Sequence, residues 1–511
     1  MTAPLGLWLL PPLLLLGVGF LYPFSQLLMI GLSHDFGAEL WSDPALWRLV
    51  GFTYLQAFVS ALLSGIVGTA LAFAITEMRF PGRSLLWRGS LVCFSLPTIL
   101  VVLALLSFWE WWVELPVLLG WPAVLLVHVF FNFSIFLKNV GTALHELDRS
   151  EEKVALSLGA SRWIVLTRIT LRKLWPALAS SFLLAFLYCA GSFLAVLMLG
   201  GGPRFSTLEV AIYQAIKVEL DLALASRLSL IQVFTSFVLF GVVRSLPEMP
   251  PAKAGSHFFS LYAPRSDWGK RLYLGCGALV LGVVVVGPLL ALVWGGLRAI
   301  SKTGPADWLL PLTFSVQLAL LVAFLSLFSA FGLAYAERHL PWRWGKWLVA
   351  WLGNLPLSVS TVVMTLGLLL CYPLWVGNLR GSWLPIALVQ TVSAMPLVLR
   401  PLRDGYQRLP NALLQVASSL GAGPWRRLLA VELPFLRGAI VTAVASAVAF
   451  SLGEVGAVLI FLAEGITTLP LEIYRCLGKY QFETAHALGV ILLGVMLGLM
   501  FFIERGNRWR V

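Results

Sequence analysis

The sequence predicts an all-α polytopic membrane protein of about twelve transmembrane helices, arranged as two parallel six-helix repeats. Three observations predict it. Of the 511 residues 59% are hydrophobic and 12% charged, too few polar groups to cover a water-exposed surface, so the bilayer must be the solvent. Apolar stretches long enough to cross about 30 Å of hydrocarbon occur twelve times. The chain also matches itself at an offset of 262 residues.

In chain order the stretches lie near 7–30, 52–76, 89–109, 117–137, 178–199 and 222–243, then near 273–297, 312–335, 347–374, 383–399, 438–462 and 485–503. The first reads as a retained helix. It lacks a basic leader and a small-x-small cleavage site, and it carries Pro11-Pro12 inside the apolar run, which a signal peptide would not. The net charge of +12 is distributed by loop. Segments around Arg79 to Arg88, Lys138 to Lys173, Arg244 to Arg271, Arg338 to Lys346, Arg400 to Arg437 and Arg505 to Arg510 hold 27 of the 36 Lys and Arg. The positive-inside rule then predicts a multi-pass protein with both termini in the cytoplasm. The basic balance reports topology and implies no nucleic-acid partner; lipid is the surrounding one.

The repeat divides the chain into a first half (1–245, helices one to six), a linker rich in Pro and charge (246–271) and a second half (272–511, helices seven to twelve). It places Phe52 on Phe314, Lys138 on Arg400, Ala155 on Ala417, Gly159 on Gly421, Trp163 on Trp425, Leu171 on Leu433 and Gly191 on Gly453. With the offset slipping by one, Thr207-Leu208 meets Thr468-Leu469 and Ile212-Tyr213 meets Ile473-Tyr474. Matched Gly and Trp in polar loops mark a duplication rather than shared composition. An even number of helices per half keeps orientation, so the repeat is parallel.

Between the fourth and fifth helices of each half lies a patterned loop, about 145–177 and about 405–437. In the first, Glu152 is followed by Val154, Ala155 and Leu158, then Gly159 and Ala160; in the second, Val416, Ala417 and Leu420 precede Gly421 and Ala422. The i, i+1, i+4 spacing predicts a short helix with one apolar face. Gly159 and Gly421 end it where a left-handed cap fits, and Ser161 and Gly423-Pro424 open a second helix.

These loops resemble the EAA loop of ABC importer permeases of the type I architecture, in which Glu-Ala-Ala, three residues, Gly, nine residues and Ile-x-Leu-Pro recur. The resemblance implies that Glu152, Val154, Ala155, Leu158, Gly159, Ala160, Val416, Ala417, Leu420, Gly421 and Ala422 form two coupling helices. Each would dock on one copy of a separate ATPase, and a periplasmic or lipid-anchored binding protein would deliver cargo. The chain departs from the pattern at Lys153 and Gln415, which stand where the family has its Glu, and at Arg172, which replaces a Pro. No Walker A loop is present, since Gly269-Lys270, Gly345-Lys346 and Gly478-Lys479 are followed by Arg, Trp and Tyr. ATP and Mg therefore belong to the partner, and the chain is expected to hold no cofactor or metal and to catalyse nothing itself.

Glu454, in Ser451-Leu452-Gly453-Glu454-Val455-Gly456-Ala457, is the most costly residue within the spans. It is expected inside helix eleven, with Gly453, Gly456 and the first-half Ser192 as pathway or gate candidates; the alternative is a helix-packing site. His128 and Asn132 read as interhelical hydrogen-bonding groups. Over most of its length the chain looks like the fused permeases for thiamine and ferric iron. The stretches His128 to Asn132 and Gly200 to Gln214 lean toward thiamine, and the second implies a binding-protein surface at Gly201, Gly202, Pro203, Thr207 and, in the other half, Thr468. Ferric iron and polyamines remain alternative cargoes. A secondary transporter with a six-plus-six repeat is the rival class, which would need more intramembrane acids and bases than Glu454.

Overall fold

The computed structural model describes residues 5–33, 42–112, 119–245, 262, 266–375, 383–461 and 467–507, and all regular structure among them is helical. Ten of these helices are long and apolar enough to cross a membrane, or up to twelve when two bent pairs count as one span each. Every predicted stretch overlaps one of them, although 178–199 runs past its span, which ends at Ala190. The bent pairs are the third span of each repeat: Arg83–Ser95 with Thr98–Glu110, bent by 109°, and Arg343–Ser358 with Thr361–Cys371, bent by 95°. In the first, Leu96 is extended (φ −69°, ψ 142°) because the ring of Pro97 disfavours helical geometry before it. In the second, a 3-10 turn containing Pro356 ends at extended Val359.

The first repeat supplies α1 (Gly6–Leu32), α2 (Pro44–Glu77), α3 (Arg83–Ser95), α4 (Thr98–Trp112), α5 (Trp121–Glu146), α6 (Ser150–Ser157), α7 (Leu171–Ala190), α8 (Leu194–Leu199), α9 (Leu208–Lys217) and α10 (Leu222–Ser245). The second repeats this order as α11 (Asp267–Ala299), α12 (Pro305–His339), α13 (Arg343–Asn354), α14 (Thr361–Trp375), α15 (Leu384–Arg408), α16 (Asn411–Ser419), α17 (Leu433–Gly453), α18 (Gly456–Ile460), α19 (Leu469–Gly478) and α20 (Phe482–Asn507). The duplication extends to details. One-turn π-helical segments precede α7 and α17, at Leu166–Thr170 and Leu428–Glu432. The amide of Leu208 donates to Thr53 Oγ1 at 3.0 Å and that of Leu469 to Ser315 Oγ at 2.8 Å, the same tie made twice at repeat-related positions.

The chain packs as two compact units, residues 1–40, 211–233 and 296–511, and residues 41–210 and 234–295. They are not the sequence halves: α1 belongs with the second repeat and most of α11 with the first. In the former unit α1 crosses α12 so closely that a Cβ on Gly332 would lie 2.2 Å from the Trp8 carbonyl oxygen, and the Trp8 ring rests on Phe331 and Tyr335 at 5.5 Å each. In the latter, α2 and α5 meet where a Cβ on Gly68 would lie 2.3 Å from the Phe133 carbonyl, and the Tyr273 hydroxyl of α11 donates to Ala70 O at 2.7 Å. Such close backbone contact at small residues is how helices associate in lipid, where the hydrophobic effect between them is absent. The linker expected at 246–271 lies outside the described residues, apart from Tyr262 and the start of α11.

The two loop helices and the breaks after helix five

The short loop helices α6 and α16 end in the same hydrogen-bonded turn. Gly159 has φ 86° and Gly421 φ 79°, a region closed to most side chains. The amide of Ala160 reaches back to Ala155 O at 3.0 Å and that of Gly159 to Leu156 O at 3.0 Å; Ala422 bonds Ala417 O at 2.9 Å and Gly421 bonds Ser418 O at 3.0 Å. This is a Schellman cap, in which glycine satisfies the last carbonyls of the helix. Ser161 then caps the next turn by accepting from Ile164 N at 3.3 Å, and Pro424 is the first residue of its counterpart. On the outer face Val154, Leu158, Val416 and Leu420 are exposed, Leu158 to 83% and Leu420 to 81%. Ala155, Ala160, Ala417 and Ala422 are half-buried beneath them, and Glu152 points inward, fully buried.

The inner side of each loop is held by a buried polar anchor. In the first repeat Arg149 pairs with Glu77 at 2.5 Å and lies 3.9 Å from Glu152. Thr170 donates to Glu152, the Tyr262 amide donates to Glu77 Oε2 at 3.1 Å, and the Tyr262 hydroxyl bonds Thr170. Burial pushes the Tyr262 hydroxyl up to about 12, so it keeps its proton throughout the working range. At repeat-related positions the second half has His339 for Glu77, Asn411 for Arg149, Leu414 for Glu152 and Glu432 for Thr170. Its carboxylate has moved from the loop helix to the following one, where Glu432 accepts from Tyr406 at 3.1 Å and faces His339 at 3.3 Å. Arg338 now reaches Asn411 and Leu409 O. The anchor is kept while its chemistry is permuted.

Glu454 is not inside a continuous helix eleven. The apolar stretch 438–462 breaks: α17 ends at Gly453 and Glu454 is extended (φ −82°, ψ 128°). The cause is local capping. The Glu454 carboxylate accepts from the Ala457 amide at 3.2 Å, closing the start of α18, and Gly456 makes room for it, since a Cβ there would lie 3.1 Å from both Glu454 Oε1 and Thr361 Oγ1. Gln390 Nε2 donates to Glu454 at 3.4 Å and Ser451 donates to Gln390 Oε1 at 2.5 Å. The stretch 178–199 breaks in the same way between α7 and α8, with half-buried Ser192 inside the break.

The first half also brings a carboxylate to its break. Glu209, fully buried on α9, places Oε1 3.8 Å from where a Cβ on Gly191 would lie. Sequence reasoning missed this role because Glu209 sits in a stretch read as binding-protein surface. The helical spacing of Glu209, Ile212 and Ile216 on one buried face was the available signal. Of the expected docking residues, Gly201 and Gly202 are exposed, with φ 74° and 104°, and Pro203 begins a 3-10 turn. Thr207 and Thr468 are buried, and Thr468 caps α19 through Leu471 N at 3.4 Å.

Residues 64–247 and 329–508 each match the family described as binding-protein-dependent transport system inner membrane component. The chain is 29% identical to the thiamine transport system permease protein of Salmonella typhimurium, over 98% of this chain and 96% of that one. It is 30% identical to the protein of the same name from Escherichia coli, over 92% and 91%. A shorter relative, the sulfate transport system permease protein of Escherichia coli, is 29% identical over 44% of this chain and 86% of its own length. With one match on each repeat, the chain belongs to the family of binding-protein-dependent transport system inner membrane components.

Proposed function

We propose that the chain is the membrane permease of an ATP-driven thiamine importer, worked by two copies of a separate ATPase and fed by a periplasmic or lipid-anchored binding protein. The observation that carries the reading is the pair of loop helices. Each is rigidly capped at glycine, anchored from within by buried polar groups, and tipped with exposed apolar side chains suited to a complementary groove. A knob of this kind transmits closure of an ATPase dimer into the helices that follow it. The loops are cytoplasmic in this reading, both termini lie on the same side, and Gly201, Gly202 and Pro203 face the binding protein. Glu454, a buried carboxylate at a helix break, lowers the barrier that a cationic cargo meets in a low-dielectric path. Thiamine as cargo is supported by two near-full-length relatives named for its transport.

The test is uptake of radiolabelled thiamine by cells lacking their own thiamine permease but supplied with this chain, its ATPase and its binding protein. Accumulation that depends on all three components is the expected result. Uptake of ferric iron or a polyamine in place of thiamine would reassign the cargo, and uptake driven by an ion gradient without the ATPase would overturn the class.

A further inference from the structure

Helices α2, α5 and α7 of the first repeat meet around the end of α7 in a cluster of neutral polar side chains. Gln56 and Ser60 stand one turn apart on α2, His128 and Asn132 one turn apart on α5, and all four are at most 3% exposed. Their donors are used. Gln56 Nε2 bonds Thr53 O at 3.1 Å and Cys189 O at 2.9 Å. Asn132 Nδ2 bonds His128 O at 2.9 Å and Cys189 Sγ at 3.2 Å, and Ser60 Oγ meets His128 Nδ1 at 2.9 Å. What remains are Gln56 Oε1, Asn132 Oδ1 and His128 Nε2, which have no hydrogen-bond partner among the described residues. Buried polar atoms in folded proteins are nearly always satisfied by protein or by ordered water, so three together call for a guest.

The second repeat is built differently, with apolar Leu318 and Ala394 where the first has Gln56 and Asn132. In the second repeat Gln390 stands at the position of His128, Ser451 at that of Cys189 and Glu454 at that of Ser192. There the chain completes its own network, Ser451 to Gln390 to Glu454. In the first repeat a thiol replaces the hydroxyl donor, and Ser192 replaces the glutamate.

We propose that the break after α7 is a binding site for ordered water, one or two molecules bridging Gln56 Oε1, Asn132 Oδ1 and His128 Nε2. The three atoms are neutral, so nothing in the set offsets the dehydration of an ion. Water also serves either tautomer of His128, donating to a bare Nε2 or accepting from a protonated one. The capacity of a buried water, about three hydrogen bonds, matches the set. The two breaks then differ in kind: the second repeat is closed by its own side chains, and the first by exchangeable solvent.

Radiolytic hydroxyl-radical labelling of the whole transporter in nanodiscs tests this, because radicals formed on a bound water oxidise whatever side chain it touches. Cys189, bonded by both Gln56 and Asn132 and so the thiol beside the proposed water, is 0% exposed, and Cys371 and Cys476, nearly as buried at 2% and 3%, are internal controls. Cys189 is expected to oxidise several-fold faster than either. Replacing the two amide acceptors with apolar groups of similar size, Gln56→Leu with Asn132→Leu, should lower it to the control rate. A wild-type Cys189 as slow as Cys371 overturns the proposal whether or not the variant folds. A density at the cluster that grows when K+ is exchanged for Tl+ would replace water by a monovalent cation.

Discussion

Glu454 carries a capping role and a charge, and these can be separated. Glu454→Gln keeps an oxygen for the Ala457 amide but removes the charge. If the carboxylate eases a cation through the bundle, thiamine uptake per inserted permease should fall about tenfold, equivalent to about 1.4 kcal/mol of barrier. A packing role predicts near-silent Gln and a folding defect for Gly456→Leu, whose side chain would meet Glu454 Oε1 and Thr361 Oγ1. Radiolabelled uptake against membrane abundance for the two variants decides. At the loop anchor, Arg149→Asn removes the guanidinium that pairs with buried Glu77 and lies beside buried Glu152, which should cost about 3–5 kcal/mol. Adding Glu152→Leu imports the second repeat's own residues, Asn411 and Leu414, and should recover part of the loss. Thermal unfolding of the solubilised complex measures both, and a double variant no more stable than the single one would refute the permutation as an energetic equivalence. Glu454 was legible in the sequence because a charge inside an apolar run stands out. The anchor was not, since Glu77 lies far in the chain from Arg149, Glu152 and Thr170 and each alone looks like a loop residue.

At the scale of an element, the caps of α6 and α16 isolate a backbone effect from a packing one. A Cβ on Gly159 or Gly421 would meet nothing within 4 Å, so Val at either position acts through its positive φ alone, at about 1–3 kcal/mol of local strain. Gly159→Val and Gly421→Val are each expected to leave the permease inserted while weakening ATPase copurification and thiamine uptake. Full copurification and uptake in both variants would contradict the coupling role. These helices were readable from sequence down to their terminal glycines, because spacing and caps are local. The spans 178–199 and 438–462 were read as unbroken because hydropathy averages over a window. It cannot see that a carboxylate turned back onto its own helix start satisfies the amide freed by a break.

For the whole molecule, the proposed coupling role of two loop helices predicts that membranes yield the chain with two ATPase copies and that ATP hydrolysis is lost when those copies are removed. A native-mass measurement giving one copy per permease would refute this. The sequence by itself determined the ten to twelve candidate spans, their duplication and the form of the loop helices, because membrane solvation, repeat matching and capping are written in residue type and spacing. Only the tertiary structure decided which helices share a compact unit, with α1 and most of α11 exchanged between repeats. It alone also showed that Glu209 reaches the break at Gly191, and that Gln56 Oε1, Asn132 Oδ1 and His128 Nε2 are buried with no partner among the described residues. Those facts depend on close backbone crossings such as Trp8 on Gly332 and Phe133 on Gly68, and a stripe of apolar residues that looks alike to lipid and to another helix carries no record of which it will face.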